Sequence, residues 1–314
     1  MALSLFHEDS MDAECRSPGT TFDLLGPSSQ GRAATTTELQ ILQILKRVED
    51  LDELIGKSLS EDFSPRTNPL NDQHFDSVLG EPLPKGFLLS IVIPVYNEER
   101  TLSQVLSRVE ALPVPKEIVI VDDCSTDGTI DILREQEKRG VHEIVYQPIN
   151  QGKGAALRTG FRRTKGDIVV VQDADLEYNP QDILPMLLPL LRGEADVVYG
   201  SRFLENKHQD PSWLHRFGNA VLTKASNYLT GLQLTDMETC YKAFRREVIA
   251  GIEIQQNRFG FEPEITARLA RQNRKFVEVP IGYWARSYAE GKKIGWKDLV
   301  STLYCIVRYG MLAE

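Results

Sequence analysis

Features that define several common protein classes are missing from this sequence of 314 residues. It has only four cysteines, which are far apart and form no CxxC pair, so we expect free thiols in a reducing compartment. No stretch reaches the roughly 18 apolar residues that a membrane-spanning helix needs, and no signal-peptide pattern is present. We therefore expect a cytoplasmic protein without a span of its own, at most peripheral at a membrane surface.

Two glycine-rich phosphate-binding patterns are also absent. No GxGxxG follows the first apolar run, which argues against a dinucleotide-dependent dehydrogenase. The turn at 150–154 (NQGKG) contains a lysine before a predicted helix, but it lacks the full G-x-x-x-x-G-K-S/T pattern. A P-loop is therefore not expected.

The charge is acidic overall and unevenly distributed. The net charge is −9, which argues against a general nucleic-acid-binding protein, and we expect no nucleic-acid partner. Residues 1–86 hold 15 acidic and 7 basic residues, whereas from Arg271 onward 8 basic residues face 4 acidic ones. A basic C-terminal end suits phosphate groups or an anionic membrane surface.

The N-terminal part differs from the rest of the chain. Residues 1–36 are mostly polar, and their apolar residues do not recur at the spacing of a helix or a strand, which predicts a disordered tail. Apolar residues at helical spacing predict one amphipathic helix over 37–56, which either docks on the main domain or pairs with a second copy in a homodimer. Residues 57–86 are polar with several prolines and predict a linker, and residues 87–314 form the globular domain.

Apolar runs alternate with helix-length amphipathic stretches in the globular part. The alternation predicts an α/β fold with a doubly wound, mostly parallel sheet and ligands at the strand ends. Strands are predicted at 87–95, 117–121, 143–146, 167–172, 196–199 and 277–281. Helices are predicted at 98–112, 128–139, 153–164 and 180–191, from about 257–264 through 269, and at 296–312.

The most informative stretch is 166–180, GDIVVVQDADLEYNP. Its apolar run reads as a central strand, and Asp173 and Asp175 lie two apart at the carboxyl end, where their side chains point the same way. Two carboxylates aimed together repel each other unless a cation lies between them. A hard ion such as Mg²⁺ or Mn²⁺ accepts carboxylates and shares its other positions with diphosphate oxygens. A solvated acidic turn is the alternative.

Polar groups also follow the first two predicted strands. Pro94 should end the strand pairing, while Tyr96 and Glu98 project from the strand-to-helix turn, where a ring and a carboxylate can hold a base or its ribose. Stabilisation of the helix start is the alternative for Glu98. After the second strand, Asp122 and Asp123 exceed what a helix cap requires, so one of them is expected to bind a base or ribose.

Five segments in register carry a family resemblance: IPVYNEE, DDCSTDGT, NQGKGAALRTG, GDIVVVQDADLEY and VVYGSRF. Together they resemble the family 2 glycosyltransferases of GT-A fold over about residues 87–312. Within that family the chain is similar to the dolichyl-phosphate mannose synthase-like branch, whose members join an activated sugar to a polyprenyl phosphate.

The resemblance implies roles for several of these residues. Asp175 is the favoured metal ligand, with Asp173 as its partner in the Asp-x-Asp motif and Glu177 close by, although Glu177 stands where some members of the branch have glutamine. The positions implied around the nucleotide and its diphosphate are Pro94, Tyr96, Glu98, Asp123, Lys153 and Asp173.

The resemblance also implies roles for three residues on the side of the site where the acceptor binds. Arg202 would face the acceptor phosphate, because a guanidinium fork matches phosphate geometry; a surface salt bridge is the alternative. Asp236 and Glu238 stand where related inverting enzymes have a general base. A hydroxyl acceptor needs such a base, whereas a phosphate acceptor is already an anion. With a phosphate acceptor, Asp236 and Glu238 would instead orient Lys242, Arg202 or the sugar.

The C-terminal segment adds cations and an amphipathic helix. In this branch a loop equivalent to 286–293 closes over the diphosphate and acceptor, so Arg286 and Lys293 are implied as a phosphate clamp. The predicted helix at 296–312 is apolar on overlapping faces and flanked by basic residues. It either lies in a membrane interface or packs against the core.

These observations favour an inverting glycosyltransferase that depends on Mg²⁺ or Mn²⁺. It would move a sugar, mannose or glucose above others, from a nucleoside-diphosphate sugar to a dolichyl- or undecaprenyl-type polyprenyl phosphate. Two alternatives stay open. One is a family 2 transferase to a sugar or protein hydroxyl, and the other is a non-catalytic sugar-nucleotide-binding or scaffold protein.

Overall fold

A computed structural model describes residues 83–204, 213–258, 260–285 and 296–311. The predicted tail, the amphipathic helix and nearly all of the linker lie outside these ranges, so those expectations and the homodimer stay predictions. Arg286 and Lys293 lie outside them as well.

Seven strands in the described ranges form one sheet, in the spatial order β3-β2-β1-β4-β6-β5-β7. All neighbouring pairs are parallel except those of β6, which is antiparallel to both β4 and β5. The predicted α/β class with a mostly parallel sheet is confirmed. The strands are β1 Leu89–Val95, β2 Lys116–Asp122, β3 Glu143–Tyr146, β4 Ile168–Val171, β5 Val197–Ser201, β6 Lys242–Arg245 and β7 Phe276–Pro280.

Helices cover the sheet and supply much of the site. Two of them, α5 and α6, were not predicted from the sequence, and neither was β6. The helices in the described ranges are α1 Leu102–Glu110, α2 Thr129–Arg139, α3 Lys153–Phe161, α4 Ile183–Leu191, α5 Trp213–Thr230, α6 Arg246–Ala250, α7 Phe261–Arg271 and α8 Trp296–Met311, with a 3-10 turn at Pro180–Asp182.

The core explains why the central strands are almost uniformly apolar. Every residue of β4 is buried, and β1 is buried at all but one position, because helices pack on both faces of the sheet. Helix α3 crosses β1 so closely that a Cβ on Gly160 would lie 2.4 Å from Cγ1 of Val92. Such tight packing holds the strand ends, and the turns that follow them, in defined positions.

The expectation that Pro94 ends the strand pairing is correct on only one side of β1. Pairing with β4 stops at Val92 opposite Val171. Pairing with β2 continues through Pro94 to Val95 opposite Asp122. The missing N–H of proline therefore faces the side where the ladder has already ended.

The antiparallel strand β6 decides which residues meet at the site. Because it runs against β4 and β5, its amino end lies beside their carboxyl ends. Residues 236–241, which precede β6, are thereby brought to the same edge of the sheet as Asp173 and Arg202.

The expectation of free thiols is confirmed for two of the four cysteines. Cys240 and Cys305 are free and buried. For the other two it stays a prediction.

Helix α8 packs against the core, as one of its two sequence alternatives predicts, and the membrane-interface alternative stays untested. Cys305, Ile306 and Tyr309 are buried, and the helix packs against α5 and α7. Tyr304 and Met311, on the other side, are 60% and 67% exposed. None of the helices in the described part of the chain combines the length and hydropathy needed to cross a bilayer.

Candidate active site

The Asp-x-Asp residues follow β4 and lie in different surroundings. Asp175 is 7% exposed, and its Oδ1 accepts a hydrogen bond from the backbone N–H of Glu177 at 3.1 Å. Asp173 is half-buried, and its two carboxylate oxygens lie 2.9 and 3.2 Å from Nζ of Lys153. The pair predicted from the strand pattern is therefore not a solvated acidic turn.

Lys153 joins three elements at this point. It is the first residue of α3, it contacts Asp173 after β4, and its Nζ lies 3.4 Å from Oε1 of Glu262 at the start of α7. Burial by itself lowers the pKa of Lys153, but the charges of Asp173 and Glu262 outweigh this effect and raise the pKa well above its usual value. Lys153 is therefore a permanent cation beside the Asp-x-Asp motif.

Two glycines that flank Lys153 are required by close packing. A Cβ on Gly152, which has a φ of 101°, would lie 2.7 Å from the carbonyl oxygen of Asn257, and one on Gly154 would lie 2.3 Å from that of Gln256. The turn at 150–154 therefore packs against the segment that leads into α7, which brings Lys153 and Glu262 together.

The residues around Asp173 and Asp175 fit a divalent cation. Their donors are hard carboxylate oxygens, and the ammonium of Lys153 shows that Asp173 already accepts a cation at this position. Within the described residues, no group of three or more His, Cys, Asp or Glu side chains is arranged to hold a metal. An ion bound here would take its other ligands from diphosphate oxygens and water, as Mg²⁺ commonly does.

Glu177 is linked to the segment after β7. Its Oε2 accepts a hydrogen bond from the Tyr283 hydroxyl at 3.0 Å, and its carbonyl oxygen accepts one from the backbone N–H of Trp284 at 2.9 Å. Tyr283 in turn lies under the guanidinium of Arg202, 5.0 Å from Cζ to the ring centroid. Glu177 thus connects the Asp-x-Asp loop to the acceptor side through Tyr283.

Arg202 and Asp236 form a buried, two-pronged ion pair at the end of β5. Nε of Arg202 lies 2.6 Å from Oδ2 of Asp236, and Nη2 lies 2.8 Å from Oδ1. Asp236 is fully buried and also accepts the backbone N–H of Arg202 at 3.1 Å. The surface-salt-bridge alternative for Arg202 is therefore wrong. Both oxygens of Asp236 are occupied by the arginine, an arrangement that orients a guanidinium.

Glu238 belongs to a buried group of charges that includes Lys242 and Glu262. Burial, and then repulsion by Glu262, raise the pKa of Glu238 to about 8. Burial lowers the pKa of Lys242 to about 8, against the attraction of Glu262 and Glu238. Lys242 is fully buried, donates to the carbonyl oxygens of Met237 and Thr239, and lies 4.2 Å from the ring centroid of Tyr199.

Replacing Glu238 with glutamine should change how stability depends on pH. The folded state keeps a proton on Glu238 that the unfolded state, with an ordinary pKa of 4.5, has lost. This group therefore makes folding less favourable as the pH rises from about 4.5 to about 8. Glutamine cannot ionise, so the stability of the variant relative to the parent should increase across that window, by roughly 1.4 kcal/mol for each unit by which the folded-state pKa of Glu238 exceeds its ordinary value. Urea unfolding of the parent and the variant near pH 5 and near pH 8 measures this difference in the free energy of unfolding.

The matched control for this experiment is Glu253→Gln, which changes the same chemistry at an exposed position. The control should shift stability by only a few tenths of a kcal/mol, about equally at both pH values. Parallel pH profiles for the parent and Glu238→Gln would show that Glu238 is already ionised in the folded protein.

The residues predicted around the nucleotide lie along the ends of β1 and β2. Pro94 and Tyr96 are half-buried there. Oε2 of Glu98 accepts a hydrogen bond from the hydroxyl of Thr101 at 2.8 Å, next to the start of α1. This contact agrees with the helix-start alternative and leaves the predicted nucleotide role of Glu98 untested.

Asp123 is engaged with its own protein. It accepts hydrogen bonds from the backbone N–H groups of Gln151 and Gly152 at 2.9 and 2.6 Å, and from Nε2 of Gln147 at 3.1 Å. Burial raises its pKa, although these backbone hydrogen bonds lower it. Asp123 therefore holds the glycine turn that carries Lys153, and its predicted contact with a base stays a prediction.

Two residues at the site were missed by sequence reasoning. Glu262 was assigned no role from the sequence, yet it is 4% exposed and contacts Lys153. The signal was available in part, since Glu262 and Glu264 together exceed what one helix start needs. Tyr283 carries no local signal, because its role depends on Glu177 and Arg202 from distant parts of the chain.

Comparison with known proteins shows the family of this chain. The model of the domain described as Glycosyl transferase family 2 matches residues 90–252, about half of the chain. The chain belongs to this family. It is a glycosyltransferase, and the recognised motifs fall within the matched residues.

Similar proteins include two undecaprenyl-phosphate 4-deoxy-4-formamido-L-arabinose transferases. The one from Aeromonas hydrophila subsp. hydrophila is 32% identical over 226 residues, which cover 70% of this chain and 67% of the relative. The one from Pseudomonas savastanoi pv. phaseolicola is 34% identical over 217 residues, covering 67% and 62%. The chain thus spans about two thirds of the first relative and less than two thirds of the second.

Solved structures confirm the GT-A type of fold. Glucosyl-3-phosphoglycerate synthase from Mycobacterium tuberculosis, in complex with Mn²⁺, uridine diphosphate and phosphoglyceric acid, matches with a TM-score of 0.55 and 17% identity, over 79% of this chain and 86% of the synthase. The same enzyme with Mg²⁺ and uridine diphosphate matches with a TM-score of 0.57 and 19% identity, over 79% and 86%. At such identities the likeness concerns the fold alone.

Proposed function

We propose that this glycosyltransferase is an inverting, metal-dependent enzyme that transfers a sugar from a nucleoside-diphosphate sugar to a polyprenyl phosphate. The Asp-x-Asp residues and Lys153 form the donor diphosphate side. Arg202, held by Asp236, forms the acceptor phosphate side. The names of the two relatives, which act on undecaprenyl phosphate, support the same class of acceptor.

The observation that carries this proposal is that the candidate base Asp236 has both carboxylate oxygens bound to Arg202. Burial, and then repulsion by Glu262, raise the pKa of the other candidate, Glu238, which favours its protonated form. A hydroxyl acceptor must lose a proton as it attacks, whereas a phosphate is already an anion and needs only positioning and charge compensation. The site is therefore better suited to a phosphate acceptor.

The residues divide the chemical work between them. An oxygen of the acceptor phosphate attacks the anomeric carbon, the bond from that carbon to the diphosphate oxygen breaks, and the configuration inverts. Arg202 orients the acceptor phosphate, and Lys153 compensates negative charge on the donor side. A divalent ion held by Asp175 and Asp173 would supply further charge neutralisation of the departing diphosphate.

The identity of the sugar is a separate question. Resemblance to the dolichyl-phosphate mannose synthase-like branch favours mannose or glucose, while the two relatives are named for 4-deoxy-4-formamido-L-arabinose. We retain a hexose as the proposal and include the arabinose derivative in the test.

A peripheral contact with an anionic membrane surface would bring the enzyme to such an acceptor. Helix α5 exposes Phe217, Val221 and Tyr228 at helical spacing, with Lys224 exposed on the same side. Tyr228 is 88% exposed. Aromatic residues mixed with lysine on one helix face are typical of helices that lie at a membrane interface.

Helix α8 extends this surface. Its Gly310 lies against Leu229 of α5, where a Cβ would be 2.7 Å from Cβ of Leu229. The exposed Met311 and Tyr228 are the chain neighbours of these two residues. We expect the protein to sediment with vesicles containing anionic lipid. The Phe217→Ser/Tyr228→Ser variant should remain largely in the supernatant, whereas an equal distribution of variant and parent would rule out this surface.

The test of the proposed function is a transfer assay with a panel of donors. UDP and GDP forms of mannose, glucose and 4-deoxy-4-formamido-L-arabinose are offered with a polyprenyl phosphate and Mn²⁺ or Mg²⁺, with and without chelator. The proposal expects one glycolipid product that chelator suppresses. Donor hydrolysis without a lipid product would instead favour a hydroxyl acceptor, and no turnover with any donor would favour a scaffold protein.

A further inference from the structure

The ammonium of Lys153 lies between two carboxylates, and it is closer to one of them than to the other. It is 2.9 and 3.2 Å from the oxygens of Asp173 and 3.4 Å from Oε1 of Glu262. All three side chains are mostly shielded, with exposures of 18%, 21% and 6% for Lys153, Asp173 and Glu262. In this arrangement the Lys153 ammonium is closer to Asp173 than to Glu262.

The carboxylate of Glu262 can accept one more hydrogen bond than it does in this structure. Its Oε2 is buried and has no hydrogen-bond partner among the described residues. A buried carboxylate oxygen without a donor is unfavourable, because it has lost its hydration without replacement. Its neighbour Glu238 makes no hydrogen bond to this oxygen, and Lys242 is already committed to the carbonyl oxygens of Met237 and Thr239. Lys153, with three donors on a flexible stem, is the group within reach.

We propose that Glu262 is a positioning residue that accepts the Lys153 ammonium when a divalent cation binds to Asp173 and Asp175. The inference rests on the metal site of the proposed function. Two cations cannot share the Asp173 carboxylate without repelling each other, so binding of the ion requires Lys153 to move away from Asp173. Glu262 gives it a second carboxylate next to its present position, so the cation is retained beside the donor site.

The geometry leads to opposite effects for two substitutions. Lys153→Met removes the competing cation and should increase Mn²⁺ affinity on the order of tenfold. Glu262→Gln removes the receiving charge, leaves Lys153 on Asp173, and should decrease Mn²⁺ affinity by about threefold to tenfold. In the double variant the Glu262 substitution should have no further effect, because Glu262 acts only through Lys153.

The experiment is a Mn²⁺ titration of the full chain followed by electron paramagnetic resonance, without donor or acceptor. Glu253→Gln, an exposed change of the same charge, is the control, and thermal unfolding shows whether each variant is folded. If Glu262→Gln does not unfold like the parent, the Lys153→Met result still tests the competition for Asp173 on which the proposal depends. The proposal is overturned if Lys153→Met binds Mn²⁺ no more tightly than the parent, or if Glu262→Gln weakens binding equally in both backgrounds.

This readout separates the inference from the proposed function. Opposite shifts in Mn²⁺ affinity together with no lipid product would keep the role of Glu262 and reject the polyprenyl phosphate acceptor. A lipid product that chelator suppresses, together with unchanged Mn²⁺ affinities in the variants, would support the proposed function and reject the proposed role of Glu262.

Discussion

Asp175→Asn is expected to reduce sugar transfer by about a hundredfold to a thousandfold while leaving the protein folded. Asparagine keeps the shape of aspartate but is a neutral and much poorer ligand for a hard divalent ion. The fold should tolerate the change, because the asparagine Oδ1 can still accept the hydrogen bond that the Glu177 N–H now donates to Asp175. Transfer rates at saturating donor, measured beside thermal unfolding, test both parts.

The control for Asp175→Asn is Asp131→Asn, the same substitution at a side chain that is 84% exposed on α2. This control should transfer sugar at the parental rate and keep the same chelator sensitivity. Unchanged turnover of Asp175→Asn in the same assay would remove the metal mechanism as proposed here. Loss of activity together with loss of the folded state would instead assign Asp175 a structural role.

Arg202→Met is expected to destabilise the protein by about 3–5 kcal/mol as well as to abolish transfer. Its partner Asp236 is fully buried, so removing the guanidinium leaves a carboxylate without either hydration or a counter-charge. Urea unfolding at neutral pH measures the stability. Methionine retains much of the apolar volume, so the loss reports the broken pair more than a cavity.

A second substitution distinguishes the stability of the pair from its function. In Arg202→Met/Asp236→Asn the unpaired charge is gone, so much of the stability should return while transfer stays lost for want of the guanidinium. Arg134→Met is the surface control, since this arginine is 67% exposed and lies 3.7 Å from Asp131; it should cost less than about 0.5 kcal/mol. Parental stability of Arg202→Met would contradict the buried pair.

The class of fold and one half of the site were predictable from local sequence. The run at 168–171 predicted β4, because a short, β-branched apolar segment suits a strand covered on both faces. The two-residue repeat of an extended chain then placed Asp173 and Asp175 on one side. The resemblance of five segments to family 2 glycosyltransferases also pointed to Lys153, Arg202, Asp236 and Glu238, all of which lie around the strand ends.

Local sequence was insufficient where an element depends on its neighbours. Strand β6 has only four residues, and its place between β4 and β5 follows from pairing across the sheet. Helix α5 is 18 residues long but exposes apolar side chains on its outer face, which weakens the amphipathic pattern by which a helix is identified.

The sequence alone determined the β/α alternation, the acidic pair after β4 and the arginine after β5, because these features depend on the backbone periods of 2 and 3.6 residues and on short motifs. Only the tertiary structure decided that Asp236 binds Arg202, that burial and Glu262 raise the pKa of Glu238, and that Lys153 lies between Asp173 and Glu262. Those outcomes depend on distances between residues that are far apart in the chain, and on burial. Burial strongly changes the free energy of an ionised side chain, and residue type alone does not show whether a side chain is buried.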